Sequence, residues 1–165
     1  MEELLQNPDF QKLVPYLVVA FFVQLFIWTL FANTIRTTLN LIKKENRCLL
    51  PSQAWFVALP FFNIYWNFVV VRRLTDSLNN EFYDRQVAVE EDPTQKQGYM
   101  YAGGYMVSNI PLPAFVGFMA SIIAFVGFVL YWFKIYEYKK LLKQPFEYRD
   151  DTRADDEDSQ KEEYL

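Results

Sequence analysis

Between residues 55 and 74 the chain reads WFVALPFFNIYWNFVVVRRL, and Pro60, Asn63, Trp66 and Asn67 are the residues in it whose types and spacing bear on chemistry. Proline has no N–H to donate, so a helix running through Pro60 leaves the carbonyl of Phe56 without its usual partner. In an apolar medium that carbonyl must find another donor, and the Asn63 amide is the nearest candidate. Broken apolar segments of this kind supply ligands for substrates in transporters. Acid–base and metal chemistry have less to draw on: the chain has no histidine, the commonest general acid–base and metal ligand, and no glycine-rich phosphate loop. No catalytic, metal or cofactor site is expected. The acids Asp76, Glu81 and Asp84 are the remaining candidate bases, and amid Arg72, Arg73 and Arg85 they read as solvated charge on an exposed helix face.

The elements that must hold this segment are helices. Residues 13–32 carry no formal charge, with Gln24 as the most polar member, and twenty helical residues span the roughly 30 Å hydrocarbon core of a bilayer. This first helix is expected to open near Asn7 with Pro8 at its first position. The stripe Phe31, Ile35, Leu39, Ile42 beside Arg36, Lys43 and Lys44 extends it beyond the apolar run, either as a projection or as an amphipathic stretch on headgroups. Ser52 is a candidate N-cap for the next unit, which is interrupted at Pro60. After Asn63 the spacing Val71, Leu74, Leu78, Phe82 predicts a helix that becomes amphipathic and ends before Asp92. Asp92 and Pro93 are expected to start a third helix running to Asn109, and NIPLP breaks it. The fourth helix covers residues 113–142, and its small residues Gly117, Ala120, Ser121, Ala124 and Gly127 share one face suited to close helix packing. The fold class is all-α: a polytopic helical membrane protein with about four membrane-embedded segments, one of them broken or re-entrant at residues 60–63.

Charge divides the chain in two. Residues 150–165 hold eight acids against Arg153 and Lys161, a net of −6, which leaves +2 on residues 1–149 of a chain whose total is −4. Residues 1–145 therefore read as a helical membrane domain and residues 146–165 as an acidic, disordered cytoplasmic tail. Lysine and arginine near membrane ends favour the cytoplasm. Lys12 stands alone before the first helix, whereas Arg36, Lys43, Lys44 and Arg47 follow it, so the N-terminus is expected outside. If residues 55–71 enter and return, and the last two helices cross out and back, then Arg72, Arg73, Lys134, Lys139, Lys140 and Lys143 all lie inside as well. The single cysteine, Cys48, permits no internal disulfide.

Two motifs carry a resemblance. The core Leu59, Pro60, Asn63, Trp66 and the closing Tyr131, Trp132, Lys134, Ile135 resemble those of a family of small uncharacterised bacterial multi-pass membrane proteins, over about residues 10–142. The resemblance implies a multi-helix fold in the bacterial cytoplasmic (inner) membrane and implies no activity, since that family is a domain of unknown function. The expected partners are the lipid bilayer and either another membrane protein or a second copy of this chain, with no nucleic acid. A non-catalytic component or scaffold of a membrane complex is the leading functional expectation. A small transporter or permeation pathway for a neutral solute is the alternative, lined by Gln24, Asn63, Asn67, Ser108 and Asn109, and a lipid-active membrane enzyme ranks last.

Overall fold

The structure, a computed structural model, describes residues 8–144, with side chains from Gln11 onward. Every regular element among them is helical: α1 (Pro8–Leu41), a 3-10 turn (Lys44–Asn46), a 3-10 helix (Pro51–Ala58), α2 (Phe62–Asp84), α3 (Gln95–Ser108) and α4 (Ala114–Leu142). The tail at 146–165 lies outside the described residues. Two stretches, Gln11–Leu41 and Ala114–Leu142, are long and apolar enough to cross a membrane by length and composition. Four full crossings are not supported. The second half of α2 carries Arg72, Arg73, Asp76, Glu81 and Asp84, and α3, at 14 residues, is only about 21 Å long.

Side-chain pairs give the helix directions. α1 and α4 run parallel, because Phe31 meets Phe128 with ring centroids 5.0 Å apart, Trp132 Nε1 donates to Thr34 Oγ1 at 3.1 Å, and Lys139 Nζ donates to Thr37 Oγ1 at 2.6 Å. α3 runs back against α4 so closely that a Cβ on Gly104 would sit 2.7 Å from the Ala124 nitrogen and one on Gly127 would sit 2.6 Å from the Tyr101 nitrogen. α2 is antiparallel to α3, pairing Asn67 with Tyr101, Val71 with Gly98 and Thr75 with Pro93. The apolar core lies where all four meet. Phe31, Ile35 and Leu39 of α1, with Ile42 just past its end, are fully covered in one cluster with Ala54 and Val57 of the 3-10 helix, Leu74, Leu78 and Phe82 of α2 and Ile135 of α4. The end of α1 is thus packed into the core.

The 3-10 helix and α2 form a hairpin against α1, with Ala54 and Val57 buried. Its cap comes two residues earlier than Ser52: Leu50 is the N-cap, Pro51 opens the helix, and the Leu50 N–H donates to Gln53 Oε1 at 3.2 Å. Its limbs are tied by Trp66 Nε1 donating to the Gln53 carbonyl at 3.1 Å and by packing of Phe56, Phe62 and Trp66 rings. At the tip Phe61 takes φ 63° and ψ −46°, and the Phe62 N–H donates to the Pro60 carbonyl at 2.7 Å. That is a γ-turn, a rare and strained conformation for a residue with a side chain. α3 also starts later than Asp92 and Pro93. Pro93 is buried with its carbonyl accepting from Thr75 Oγ1, Thr94 is left-handed at φ 72°, and the helix begins at Gln95.

At the opposite end of the bundle one ion pair ties three helices. Glu81, fully buried, accepts from the Lys43 N–H at 2.8 Å, Asn46 Nδ2 at 3.0 Å and Arg85 Nε at 2.7 Å. Arg85 in turn donates to the carbonyls of Leu142 at 3.0 Å and Leu41 at 3.3 Å. These are last-turn carbonyls of α4 and α1, which lack intrahelical partners.

Candidate functional site

The most unusual chemistry lies on the interface between α2 and α3. Asn63 and Asn67 are one turn apart on α2, Tyr101 and Tyr105 one turn apart on α3, and the antiparallel pairing brings each amide to a phenol. Asn67 Nδ2 donates to the Tyr101 hydroxyl at 3.1 Å, with both groups buried. Asn63 is 0% exposed and meets the Tyr105 hydroxyl in a side-chain contact looser than the Asn67–Tyr101 bond. The predicted role for Asn63 is overturned here: the Phe56 carbonyl accepts from the Leu59 N–H at 3.3 Å, because the chain tightens into a 3-10 helix before Pro60 and closes the gap with its own backbone. Pro60 marks the turn, and Trp66 serves as the indole tie between the limbs.

The line of neutral polar groups continues toward the Glu81 end of the bundle. Tyr131 of α4 stacks on Tyr101 with centroids 6.5 Å apart, and its buried hydroxyl lies beside Thr94. Beyond it Thr75 and Thr94 are fully buried, with their hydroxyl oxygens 3.5 Å apart. On the other side of Tyr105 a cleft of about 230 Å³ opens between α1, α3 and α4, lined among others by Gln24, Trp28, Ser108, Ser121 and Phe128. Asn109 is exposed and donates from Nδ2 to the Tyr105 carbonyl at 2.8 Å. The arrangement can donate and accept hydrogen bonds in an apolar setting, and it holds no formal charge.

Of the small residues on α4, Ala120, Ala124 and Gly127 are buried against α3. Ser121 is exposed and donates to the Gly117 carbonyl at 2.8 Å, and a Cβ on Gly117 would meet nothing within 4 Å. The face is therefore divided between an intramolecular contact and an open edge. Among the acids, Asp84 is exposed and accepts from Asn46 Nδ2 at 2.8 Å, and Asp76 is half-buried. Glu81 departs from the reading of solvated charge. Burial pushes its carboxyl up, but the donors Asn46, Lys43 N–H and Arg85 together outweigh burial and hold it below its ordinary value of 4.5. A carboxylate locked by three donors is a structural anion rather than a base. Among the described residues no group of three or more His, Cys, Asp and Glu side chains comes together to hold a metal.

Sequence reasoning passed over Tyr101, Tyr105 and Tyr131. Their signal was present in the one-turn spacing of the two tyrosines on α3 matching that of the two asparagines on α2, but only the helix pairing gives that match meaning. No protein-family model, curated protein or solved structure matches the chain.

Proposed function

We propose that the chain is an integral membrane protein acting as a non-catalytic component of a membrane assembly, with α1 and α4 spanning and the hairpin at residues 51–71 re-entrant. The observation that carries the reading is the distribution of exposed apolar side chains. Tyr16, Leu17, Val18, Val19, Phe21, Phe22 and Val23 are exposed around the circumference of α1, and Phe61, at 88% exposure, caps the hairpin tip beside Leu59, Phe62 and Tyr65. Such a surface suits lipid or a partner helix. The depth of the hairpin fits as well: ten residues from Phe62 to Val71 rise about 15 Å, half of a roughly 30 Å hydrocarbon core, before Arg72 and Arg73. Because α1 and α4 are parallel, the chain must travel back between them, and α3 with the turn at residues 109–113 makes that return.

In this reading the N-terminus is outside and Cys48, Asn79 and the acidic tail are cytoplasmic, following the lysine and arginine clusters. Placement in a bacterial inner membrane rests on the family resemblance of the Pro60, Asn63, Trp66 core. Purification of the full chain in mild detergent followed by mass spectrometry tests the role. A stoichiometric membrane-protein partner or a stable homo-oligomer is expected, and a lone monomer would overturn it. A second reading, a pathway for a neutral solute, is favoured by the cleft that brings Gln24, Ser108 and Ser121 to the Tyr105 wall behind which the buried Asn63 amide lies. Solute flux in proteoliposomes that falls on Asn63→Leu would favour it over the first.

A further inference from the structure

One outer face of the hairpin orders its chemistry by depth. Phe62, Tyr65, Val69, Arg72, Arg73 and Asp76 follow one another down one side of α2, apolar and aromatic above, charged below. The lower part is the wall of a cleft of about 560 Å³ lined by Tyr65, Val69, Arg72, Arg73, Asp76 and Cys48. The loop bearing Cys48 is fixed there, since its N–H donates to Ser77 Oγ at 2.8 Å and Asn80 Nδ2 reaches Cys48 Sγ at 3.6 Å. Both guanidinium-bearing residues are exposed, and neither is in any ion pair among the described residues. Elsewhere the bundle does pair its charges: Arg85 with Glu81, and Lys134 with Glu90 and Glu137.

We propose that this cleft is a seat for an anionic phospholipid of the leaflet that the hairpin enters, its phosphodiester on Arg72 and Arg73 and an acyl chain along Val69, Tyr65 and Phe62. The inference rests on the re-entrant placement. Two arginines against one aspartate leave the cleft a net +1, the complement of a phosphodiester with an uncharged hydroxyl-bearing headgroup, whose hydroxyls Asp76 can accept. Guanidinium forks suit phosphate oxygens bidentately. The stretch from the arginines to the turn is about 15 Å, the hydrocarbon depth of one leaflet, so a single lipid matches the wall along its length.

The test uses the full chain in detergent, with phosphatidylglycerol, phosphatidylethanolamine, phosphatidylcholine or sodium phosphate added, read by native mass spectrometry and thermal unfolding. Phosphatidylglycerol should be retained in preference to the other two lipids and should raise the unfolding temperature. The double variant Arg72→Gln/Arg73→Gln should bind it roughly thirtyfold more weakly. Arg72→Lys/Arg73→Lys, which keeps the charge but not the fork, should fall between the parent and the glutamine variant, and Lys140→Gln, a control in a different cleft, should retain the preference. Equal retention of all three lipids, or an undiminished preference in the glutamine variant, overturns the seat. Stabilisation by sodium phosphate equal to that by the lipid overturns the assignment to a lipid. Release of the chain from membranes by alkaline carbonate would instead remove the membrane reading itself, which keeps the two failures distinct.

Discussion

Asn67 and Tyr101 share a hydrogen bond of 3.1 Å across the α2–α3 interface, while Asn63, one turn earlier on the same face of α2, meets the Tyr105 hydroxyl in a looser contact. Two identical side chains in equivalent positions thus carry unequal energetic weight, because a buried polar pair stabilises an interface only as far as its hydrogen bond is well made.

Thermal unfolding in one detergent separates them. Tyr101→Phe removes the acceptor of Asn67 and should destabilise by about 1–3 kcal/mol. Asn63→Leu removes the looser of the two contacts and should destabilise less than Tyr101→Phe. An equal or larger loss of stability in Asn63→Leu would refute that ranking.

Gly104 and Gly127 lie where α3 and α4 nearly touch, and Gly103 and Gly117 have no atom within 4 Å of an added Cβ. Gly104→Val and Gly127→Val should therefore part the helices and destabilise strongly, since the backbone on the facing helix cannot move aside locally. Gly103→Ala should be neutral or stabilising by up to about 1 kcal/mol, because alanine restricts the unfolded chain without meeting anything in the fold. Similar unfolding temperatures for the valine and alanine variants would refute the close approach.

Glu81 gives the bundle an acid limit. Its pKa is lowered in the folded chain, so the stabilisation from its ionised form is complete above the ordinary value of 4.5 and is lost as the pH falls through the lower folded value. Unfolding temperature should drop below about pH 4.5 in the parent. In Glu81→Gln it should be lower at neutral pH and flatter over that acid range, as Arg85 then faces no carboxylate at this position. A parallel acid response in both proteins would assign the drop to other groups.

The tip residue Phe61 combines a positive φ with nearly full exposure. Phe61→Gly relieves backbone strain of about 1–3 kcal/mol and should raise stability in detergent, where no leaflet is present. In the proposed re-entrant placement the same change removes an apolar anchor in bilayers, so protection of a cysteine placed at Leu59 from water-soluble maleimide should fall. No change in either measurement would dismiss the tip as a strained anchor.

Cysteine labelling in cells with a permeabilised outer membrane addresses orientation. Cys48 is exposed, and with Asn79→Cys it should stay unlabelled by an impermeant maleimide until lysis. Strong labelling of Asn79→Cys beforehand would replace the re-entrant hairpin with a spanning segment.

The helical class and the two long apolar helices were legible from residue order alone, because twenty uncharged residues and a 3.6-residue stripe are local properties that no packing can reassign. Residue order also marked the break at Pro60, since a missing N–H is a property of the residue. What that break does was decided by tertiary structure. The backbone closes over the Phe56 carbonyl before Asn63 can reach it, which leaves Asn63 for the interface with α3. Glu81 is the plainest case. Among Arg72, Arg73 and Arg85 its charge reads as solvated, and only the return of the chain at Lys43 and Asn46 buries it among three donors. The hydroxyls of Tyr101, Tyr105 and Tyr131 were likewise set by long-range pairing, because whether a phenol meets an amide, lipid or nothing depends on which helix lies opposite, and helix order in space is not a local property of the chain.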